Sequence, residues 1–143
     1  MLLRVGIAAV LGGLIGFDRE ARHKPAGVRT HMLVAVGSAL AVAASVLVVG
    51  GVQEVALVRG DAVRIAAGVL TGIGFLGAGA IIRGPEGVHG LTTAAGIWVT
   101  AAVGITVGYG LYILAIGATV ITVIVVAILI RLPSAASDPG PAS

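Results

Sequence analysis

The chain has 143 residues, of which 58% are hydrophobic and 10% are charged, whereas about 25% are charged in a typical soluble domain. Its formal net charge is +3, and it contains 23 glycines but no cysteine. A chain this short cannot bury so much apolar surface in a soluble core, whereas a lipid bilayer can solvate it. The missing cysteines exclude disulfides and thiolate chemistry. Basic residues spread along an apolar chain indicate membrane topology, so we expect no nucleic acid partner.

Long uncharged segments predict an all-α membrane protein, a bundle of about five transmembrane helices. The segments between Arg64 and Arg83 and between Glu86 and Arg131 contain no charged residue. At about 1.5 Å per residue, they are long enough to cross the hydrocarbon core once and twice, respectively. The predicted spans are residues 1–16, 29–50, 62–82, 90–107 and 111–130. These spans form a predicted domain over residues 1–132, and the Pro- and Ser-rich residues 133–143 are expected to be a disordered cytoplasmic tail.

The segments between the predicted spans are expected to be loops. Residues 52–61 are predicted to form one of them, with Asp61 as the N-cap of the third helix. Five spans place the chain ends on opposite sides of the membrane. Most basic residues then lie on the side of the C-terminus, namely Arg19, Arg22, Lys24, Arg29, Arg83 and Arg131. The positive-inside rule therefore predicts a cytoplasmic C-terminus and an external N-terminus.

Glycines spaced four residues apart predict close contacts between helices, because such positions share one helix face. The predicted packing positions are Gly12, Gly16, Gly68, Gly72, Gly96, Gly104 and Gly108. These faces are expected to pack within one bundle, and a homo-oligomer or a partner's helix is the alternative. Trp98 lies in the middle of a predicted span and is expected to be buried against a glycine face.

Two polar segments, residues 17–30 and 83–93, contain the candidate functional groups. Asp18 and Arg22 are four residues apart and can form an ion pair on one helix face. The charged cluster around them is either an interfacial anchor or a cytoplasmic-side site for an ion, a ligand or a partner helix. Thr92 and Thr93 can cap the fourth helix or form hydrogen bonds across helices. No paired nucleophile and base occurs, so we expect no enzyme, no cofactor and no metal site.

Four stretches of the sequence match a known family. They are GGLIGFDRE at residues 12–20, AGVRTH at 26–31, GIGFLGAG at 72–79 and GLTTAA at 90–95. In these stretches the chain resembles the MgtC/SapB family of bacterial membrane proteins, with Asp18 where many members have Glu. The resemblance implies an inner-membrane domain of about five helices with a cytoplasmic C-terminus. It also implies a role in growth at low magnesium and in survival inside macrophages.

The best-known member of that family resembles a regulator that contacts the membrane sector of ATP synthase, and it has a cytoplasmic domain after the last span. The present chain is expected to correspond to the transmembrane domain alone. The predicted function is therefore non-enzymatic regulation of magnesium-limitation and virulence physiology through a membrane partner. The alternative is a small divalent-cation permease that uses backbone oxygens near residues 74–79 of a broken helix.

The predicted working surface combines both polar segments. Arg19 and Arg29 are expected to pair with Asp18 and Glu20 or with acidic residues of the partner. The full set of predicted partner- or ligand-binding residues is Asp18, Arg19, Glu20, Arg22, Arg29, Thr30, Gly74, Gly77, Arg83, Thr92 and Thr93.

Overall fold

The computed structural model describes residues 1–50, 55–85 and 87–129, with the side chains of all of these except 49, 50, 55–62 and 129. The described chain forms five helices and one short hairpin. The helices are α1 (Leu2–Ala21), α2 (Val28–Gly50), α3 (Val55–Gly79), α4 (Leu91–Tyr109) and α5 (Tyr112–Leu129), and the strands are β1 (Ile82–Gly84) and β2 (Gly87–His89). The predicted all-α fold is confirmed. The predicted tail, residues 133–143, lies outside the described residues.

Two of the helices are long and apolar enough to cross a membrane. They span Val28–Val48 and Leu91–Tyr109, and the shorter segments Val63–Gly79 and Tyr112–Ile128 are also apolar. Large hydrophobic side chains face outward, among them Leu2, which is 87% exposed, and Phe75, which is 82% exposed. Such a surface is suited to lipid rather than to water. The number of membrane crossings stays a prediction.

Helix α1 continues beyond its predicted end. The polar residues Asp18, Arg19 and Glu20 lie in its last turns and not in a loop, and the helix ends at Ala21. The prediction was wrong because it took the first charged residue as the end of the helix. Charge ends an apolar segment, but Arg and Glu are good helix formers and no glycine or proline follows until Pro25.

Helix α3 begins earlier and ends earlier than predicted. It starts at Val55, so the predicted loop over residues 52–61 is wrong from position 55 onward, and Asp61 lies within the helix. Residues 52–54 of that predicted loop lie outside the described residues. The helix ends at Gly79, where the predicted span continued to Ile82. Three glycines in the last six residues of α3 weaken the helix toward this end.

A short antiparallel hairpin replaces part of the predicted polar loop between α3 and α4. Ile82 pairs with His89, Arg83 with Val88 and Gly84 with Gly87. Gly87 has a φ of +116°, a backbone conformation that favours glycine. Pro85 is the first residue of the turn between Gly84 and Gly87, a position that favours proline. The hairpin returns the chain directly to the start of α4, so α3 and α4 run in opposite directions.

The core lies where α1, α2 and α4 meet. A Cβ added at Gly12 would lie 2.6 Å from the carbonyl oxygen of His31, and one at Gly16 would lie 2.6 Å from Cα of Val28. These two glycines therefore bring the backbones of α1 and α2 together. Aliphatic residues of these helices and one alanine of α5 fill the same region, namely Ala8, Leu11, Ile15, Ala35, Ala39, Val103, Val107 and Ala115.

The glycines of α4 form the second close interface. A Cβ at Gly104 would collide with the carbonyl oxygen of Ala35, and one at Gly108 would lie 2.9 Å from that of Ala39. Gly96 lies under the His31 ring, with its added Cβ 3.5 Å from Cε1. Helices α2 and α4 therefore pack backbone to backbone, as glycine faces allow in membrane proteins.

Helix α3 lacks such contacts at its predicted packing positions. A Cβ at Gly68 or Gly72 would meet nothing within 4 Å among the described residues. Packing at these two positions is therefore not found among the described residues, and the four-residue spacing of small residues shows a possible interface without naming its partner. The prediction for Trp98 was wrong, since it is 47% exposed and not buried.

Candidate functional site

The predicted site residues with polar side chains lie at one end of the bundle, where α1 ends, α2 begins and the hairpin leads into α4. In the last turn of α1, Arg22 Nε donates to Asp18 Oδ1 over 3.0 Å, as the spacing predicted. Glu20 Oε2 accepts a 2.8 Å hydrogen bond from the backbone N–H of Val28. This bond satisfies a first-turn donor of α2 from a neighbouring helix. Glu20 thus joins α1 to α2.

Arg19 connects the two predicted polar segments. Its side chain is only 2% exposed, and its Nη2 donates a 2.6 Å hydrogen bond to Oγ1 of Thr93 in the first turn of α4. The predicted ion pair of Arg19 with Asp18 or Glu20 is not formed, because the Arg19 side chain bonds Thr93 instead, while Asp18 Oδ1 pairs with Arg22 and Glu20 bonds the N–H of Val28. Within the described part of the chain, Nε of Arg19 has no hydrogen-bond partner.

His31 is a polar core residue that the sequence analysis did not select. It is 0% exposed, and its Nδ1 lies 2.7 Å from Oγ1 of Thr100. Oγ1 of Thr100 also lies 2.8 Å from the carbonyl oxygen of Gly96, and which partner donates to the other in the His31–Thr100 pair depends on the tautomer of the ring. Nε2 of His31 is buried with no hydrogen-bond partner among the described residues. The signal in the sequence was the position of His31, one turn inside an otherwise apolar helix.

The other predicted residues divide into exposed and buried groups. Four polar ones are exposed around the same end of the bundle, namely Arg29, Thr30, Arg83 and Thr92. Thr30 also lines a cleft of about 470 Å³ between α2 and α3, together with Phe75 and Gly79. Gly74 is exposed, and a Cβ there would meet nothing within 4 Å, whereas Gly77 is buried with its added Cβ 3.7 Å from Ala94. Gly74 therefore belongs to the outer surface.

The backbone around Gly74 does not form the broken helix that a backbone-oxygen cation site requires. Helix α3 is continuous through this segment to Gly79, and the N–H of Ala80 still bonds the carbonyl oxygens of Leu76 and Gly77 over 3.2 and 3.1 Å. In the described ranges, no three His, Cys, Asp or Glu side chains lie together in a way that could hold a metal ion. The segment therefore offers an apolar helix face.

Arg4 forms the corresponding polar link at the opposite end of the bundle. Its Nη1 donates a 2.7 Å hydrogen bond to the carbonyl oxygen of Gly108, near the end of α4. Arginine side chains of α1 therefore hold α4 at both of its ends, and α1, α2 and α4 act as one unit. Apolar side chains on the outer surface of the bundle and hydrogen-bonded polar groups at its two ends are the features of a small helical membrane protein.

The comparison with known proteins assigns the family. Residues 5–134 match the model of the MgtC family, and the chain belongs to that family. It is 46% identical over 124 residues to YhiD of Escherichia coli (strain K12), covering 87% of this chain and 58% of the relative. It is 48% identical over 122 residues to MgtC of Brucella abortus (strain 2308), covering 85% and 48%. With SapB of Bacillus subtilis (strain 168), the identity is 37% over 113 residues, covering 78% and 49%.

The chain spans about half the length of the curated relatives it matches, with 58%, 48% and 49% of the three relatives covered. No solved structure matches it. The matched region contains the hairpin and all five helices except the first three residues of α1, so the polar end of the bundle lies within the family domain.

Proposed function

We propose that this chain is a non-enzymatic regulator in a bacterial plasma membrane that acts when magnesium is limiting, by contacting a membrane-protein partner. One observation carries the proposal: the hydrogen bond between Arg19 and Thr93 joins the two polar segments into one surface. The residues Arg29, Thr30, Arg83 and Thr92 are exposed around this bond. A partner that reaches the membrane surface can therefore contact both segments together.

The physiological role in this proposal is taken from the family. Four relatives from Brucella carry the name MgtC, and the family resemblance associates such proteins with low magnesium and with virulence. The membrane sector of ATP synthase is the proposed partner by that resemblance. The polar end is proposed to face the cytoplasm, since basic side chains concentrate there.

Magnesium permeation is the second candidate function. The name given to YhiD mentions magnesium transport, and YhiD is 46% identical to this chain over 124 residues. A permease needs polar ligands along its path, supplied by side chains or by backbone carbonyls of a broken helix. The continuous α3 and the apolar cleft beside it favour the regulator.

The first experiment asks whether the polar end contacts a partner. A photo-crosslinking residue is placed at Arg83 or Arg29 in cells grown at limiting magnesium, and at Leu2 as the matched control. Leu2 is 87% exposed but lies at the other end of the bundle. We expect adducts with a subunit of the ATP synthase membrane sector from Arg83 and Arg29 and none from Leu2. Equal labelling from all three positions would contradict a specific surface.

The second experiment tests permeation directly. Purified protein in liposomes is assayed for Mg²⁺ flux, with the double variant Asp18→Asn/Glu20→Gln alongside. We expect no flux above that of empty liposomes. Robust flux that the double variant abolishes would overturn the regulator proposal and place the carboxylates of α1 on a transport path.

A further inference from the structure

A groove runs along the outer surface of the bundle between α2 and α3. It consists of two adjoining clefts of about 470 and 380 Å³, which share Val34 and Leu76. Its floor is closed by buried side chains, among them Val34 and Ile73. Its walls stay apart at Gly37 and Gly72, because a Cβ added at either glycine would meet nothing within 4 Å in the described chain. The groove is therefore open to the outside along its length and closed beneath.

The lining and the length of the groove suit a single hydrocarbon chain. The lining side chains are apolar except for Thr30 and Ser38, and Ser38 is only 3% exposed. On α2 the lining extends from Thr30 to Ser38, which corresponds to about 12 Å of helix. One leaflet of a hydrocarbon core about 30 Å thick has a similar depth. An acyl chain that enters from one membrane surface can therefore lie along the whole groove.

The polar end of the groove has a positive charge. Thr30 lines this end, and Arg29 precedes it on α2. Arg29 lies four residues before Leu33, a lining residue, so the two share a helix face with their Cβ atoms about 6 Å apart. Arg29 is exposed and forms no ion pair and no hydrogen bond with the described residues. The carboxylate of Glu20 bonds the N–H of Val28 instead.

We propose that the groove between α2 and α3 binds an anionic phospholipid, with one acyl chain in the groove and the phosphate at Arg29 and Thr30. Basic groups that border a pocket between transmembrane helices at the membrane surface are the usual ligands of anionic headgroups. A helix of a partner or of a second copy, about 10–12 Å across, fits clefts of this volume poorly. The proposal goes beyond the proposed function, and the assay below contains no other protein, so the two can fail separately.

The direct test is native mass spectrometry of the full chain from micelles that contain equal amounts of phosphatidylglycerol and phosphatidylcholine with the same acyl chains. Phosphatidylcholine keeps the chains and the phosphate, but its trimethylammonium group cancels the charge. We expect about fivefold more phosphatidylglycerol to be retained, as for one arginine at a membrane surface. Equal retention of the two lipids would overturn the proposal.

A photoactivatable phosphatidylglycerol, with a diazirine in its acyl chain, locates the bound chain. We expect its adducts on residues 33–38 of α2 and 69–76 of α3, because these segments line the groove. Adducts spread evenly over all the helices would contradict a defined site.

Matched variants separate the groove from the rest of the surface. Gly72→Leu fills the groove, whereas Gly68→Leu adds the same side chain one turn away, where a Cβ also meets open space but lines neither cleft. We expect Arg29→Gln to lower phosphatidylglycerol retention about fivefold, and Gly72→Leu to lower it as far. Gly68→Leu and Arg22→Gln should retain as much as the wild type. Gly37→Leu fills the groove from the opposite wall and serves if circular dichroism shows that Gly72→Leu does not fold.

The same spectra report the oligomeric state and so test the other occupants of the groove. Retention that neither the filled groove nor Arg29→Gln lowers would overturn the proposal. If Gly72→Leu converts a dimer to a monomer and leaves lipid retention unchanged, a second copy of the chain occupies the groove and the lipid proposal is wrong.

Discussion

Helices α1, α3 and α4 all carry glycines four residues apart, but the surroundings of these glycines differ. Along α2, the carbonyls of His31 and Ala35 lie directly against Gly12 and Gly104 of the neighbouring helices. Along α3, Gly68 and Gly72 face open space within the described chain. The same spacing thus produces a closed interface in one region and an exposed surface in the other. The spacing of glycines shows where a backbone can approach, and only the neighbouring helix decides whether it does.

The threonine hydroxyl groups also differ between these two regions. In the unit of α1, α2 and α4, Thr93 and Thr100 are buried and form hydrogen bonds with side chains of other helices. On α3, Thr71 is exposed and bonds only the carbonyl oxygen of Ala67 in its own helix, over 2.9 Å. Specific polar contacts therefore stabilise the inner unit, whereas the outer face of α3 is left to lipid or to a partner.

The largest expected effect comes from adding a methyl group at the closed interface. Gly12→Ala would place a Cβ 2.6 Å from the backbone oxygen of His31, which cannot move without separating α1 from α2. We expect the free energy of unfolding to fall by about 3 kcal/mol, as for overpacking of a core. Gly72→Ala is the matched control, and there helix propensity predicts a gain of up to about 1 kcal/mol. Unfolding by SDS in mixed micelles, followed by circular dichroism, measures both.

A similar loss in the free energy of unfolding for Gly12→Ala and Gly72→Ala would contradict the difference between the two regions. It would mean that Gly72 packs against something in the protein as purified, and a second copy of the chain would then be the first candidate. Analytical ultracentrifugation of the wild type and of Gly72→Ala distinguishes the two cases.

The next effect concerns the buried hydroxyl that accepts from Arg19. Thr93→Val keeps the shape of the side chain but removes the acceptor, which leaves a buried guanidinium with no partner among the described residues. We expect a loss of about 2 kcal/mol in the free energy of unfolding. Thr71→Val on α3 removes an exposed hydroxyl and should change stability by less than about 0.5 kcal/mol. The same SDS titration measures both, and equal effects would contradict a stabilising role for the Arg19 bond.

A smaller effect is expected at the bond between His31 and Thr100. Thr100→Val leaves Nδ1 of His31 buried without its hydrogen-bond partner, for a loss of about 1 kcal/mol. Thr119→Val is a close control, since Thr119 is also buried and bonds only the carbonyl oxygen of Ala115, in its own helix. The difference between the two variants isolates the cross-helix bond to His31. A difference of zero would show that His31 finds another acceptor.

Much of the fold could be predicted from composition and uncharged length. Five helices follow from the absence of charge over long segments, because lipid requires backbone hydrogen bonds to be satisfied within each segment. The ends of α1 and α3 could not be predicted in this way. Charged residues such as Asp18 continue a helix as well as apolar ones do, and the hairpin after α3 depends on the short turn at Pro85.

The candidate site was only partly predictable. The pairing of Asp18 with Arg22 follows from their spacing on one helix. The contact between Arg19 and Thr93 joins residues 74 positions apart, and nothing local in the sequence specifies it. His31 was missed for the same reason, since its hydroxyl partner Thr100 lies on another helix. Contacts between helices depend on how the glycine faces meet, which the sequence shows only as several possibilities.

The smallest expected effect concerns Gly77, which lies within α3 itself. Gly77 is buried, but its added Cβ would lie 3.7 Å from Cβ of Ala94, which is an ordinary van der Waals distance. Gly77→Ala should therefore change the free energy of unfolding by less than about 0.5 kcal/mol, because the methyl group fits and the helix end gains little in propensity. If it destabilises the protein as strongly as Gly12→Ala, burial rather than backbone contact determines which glycines are required. If it does not, the distance to the neighbouring backbone is the property that separates the inner unit from α3.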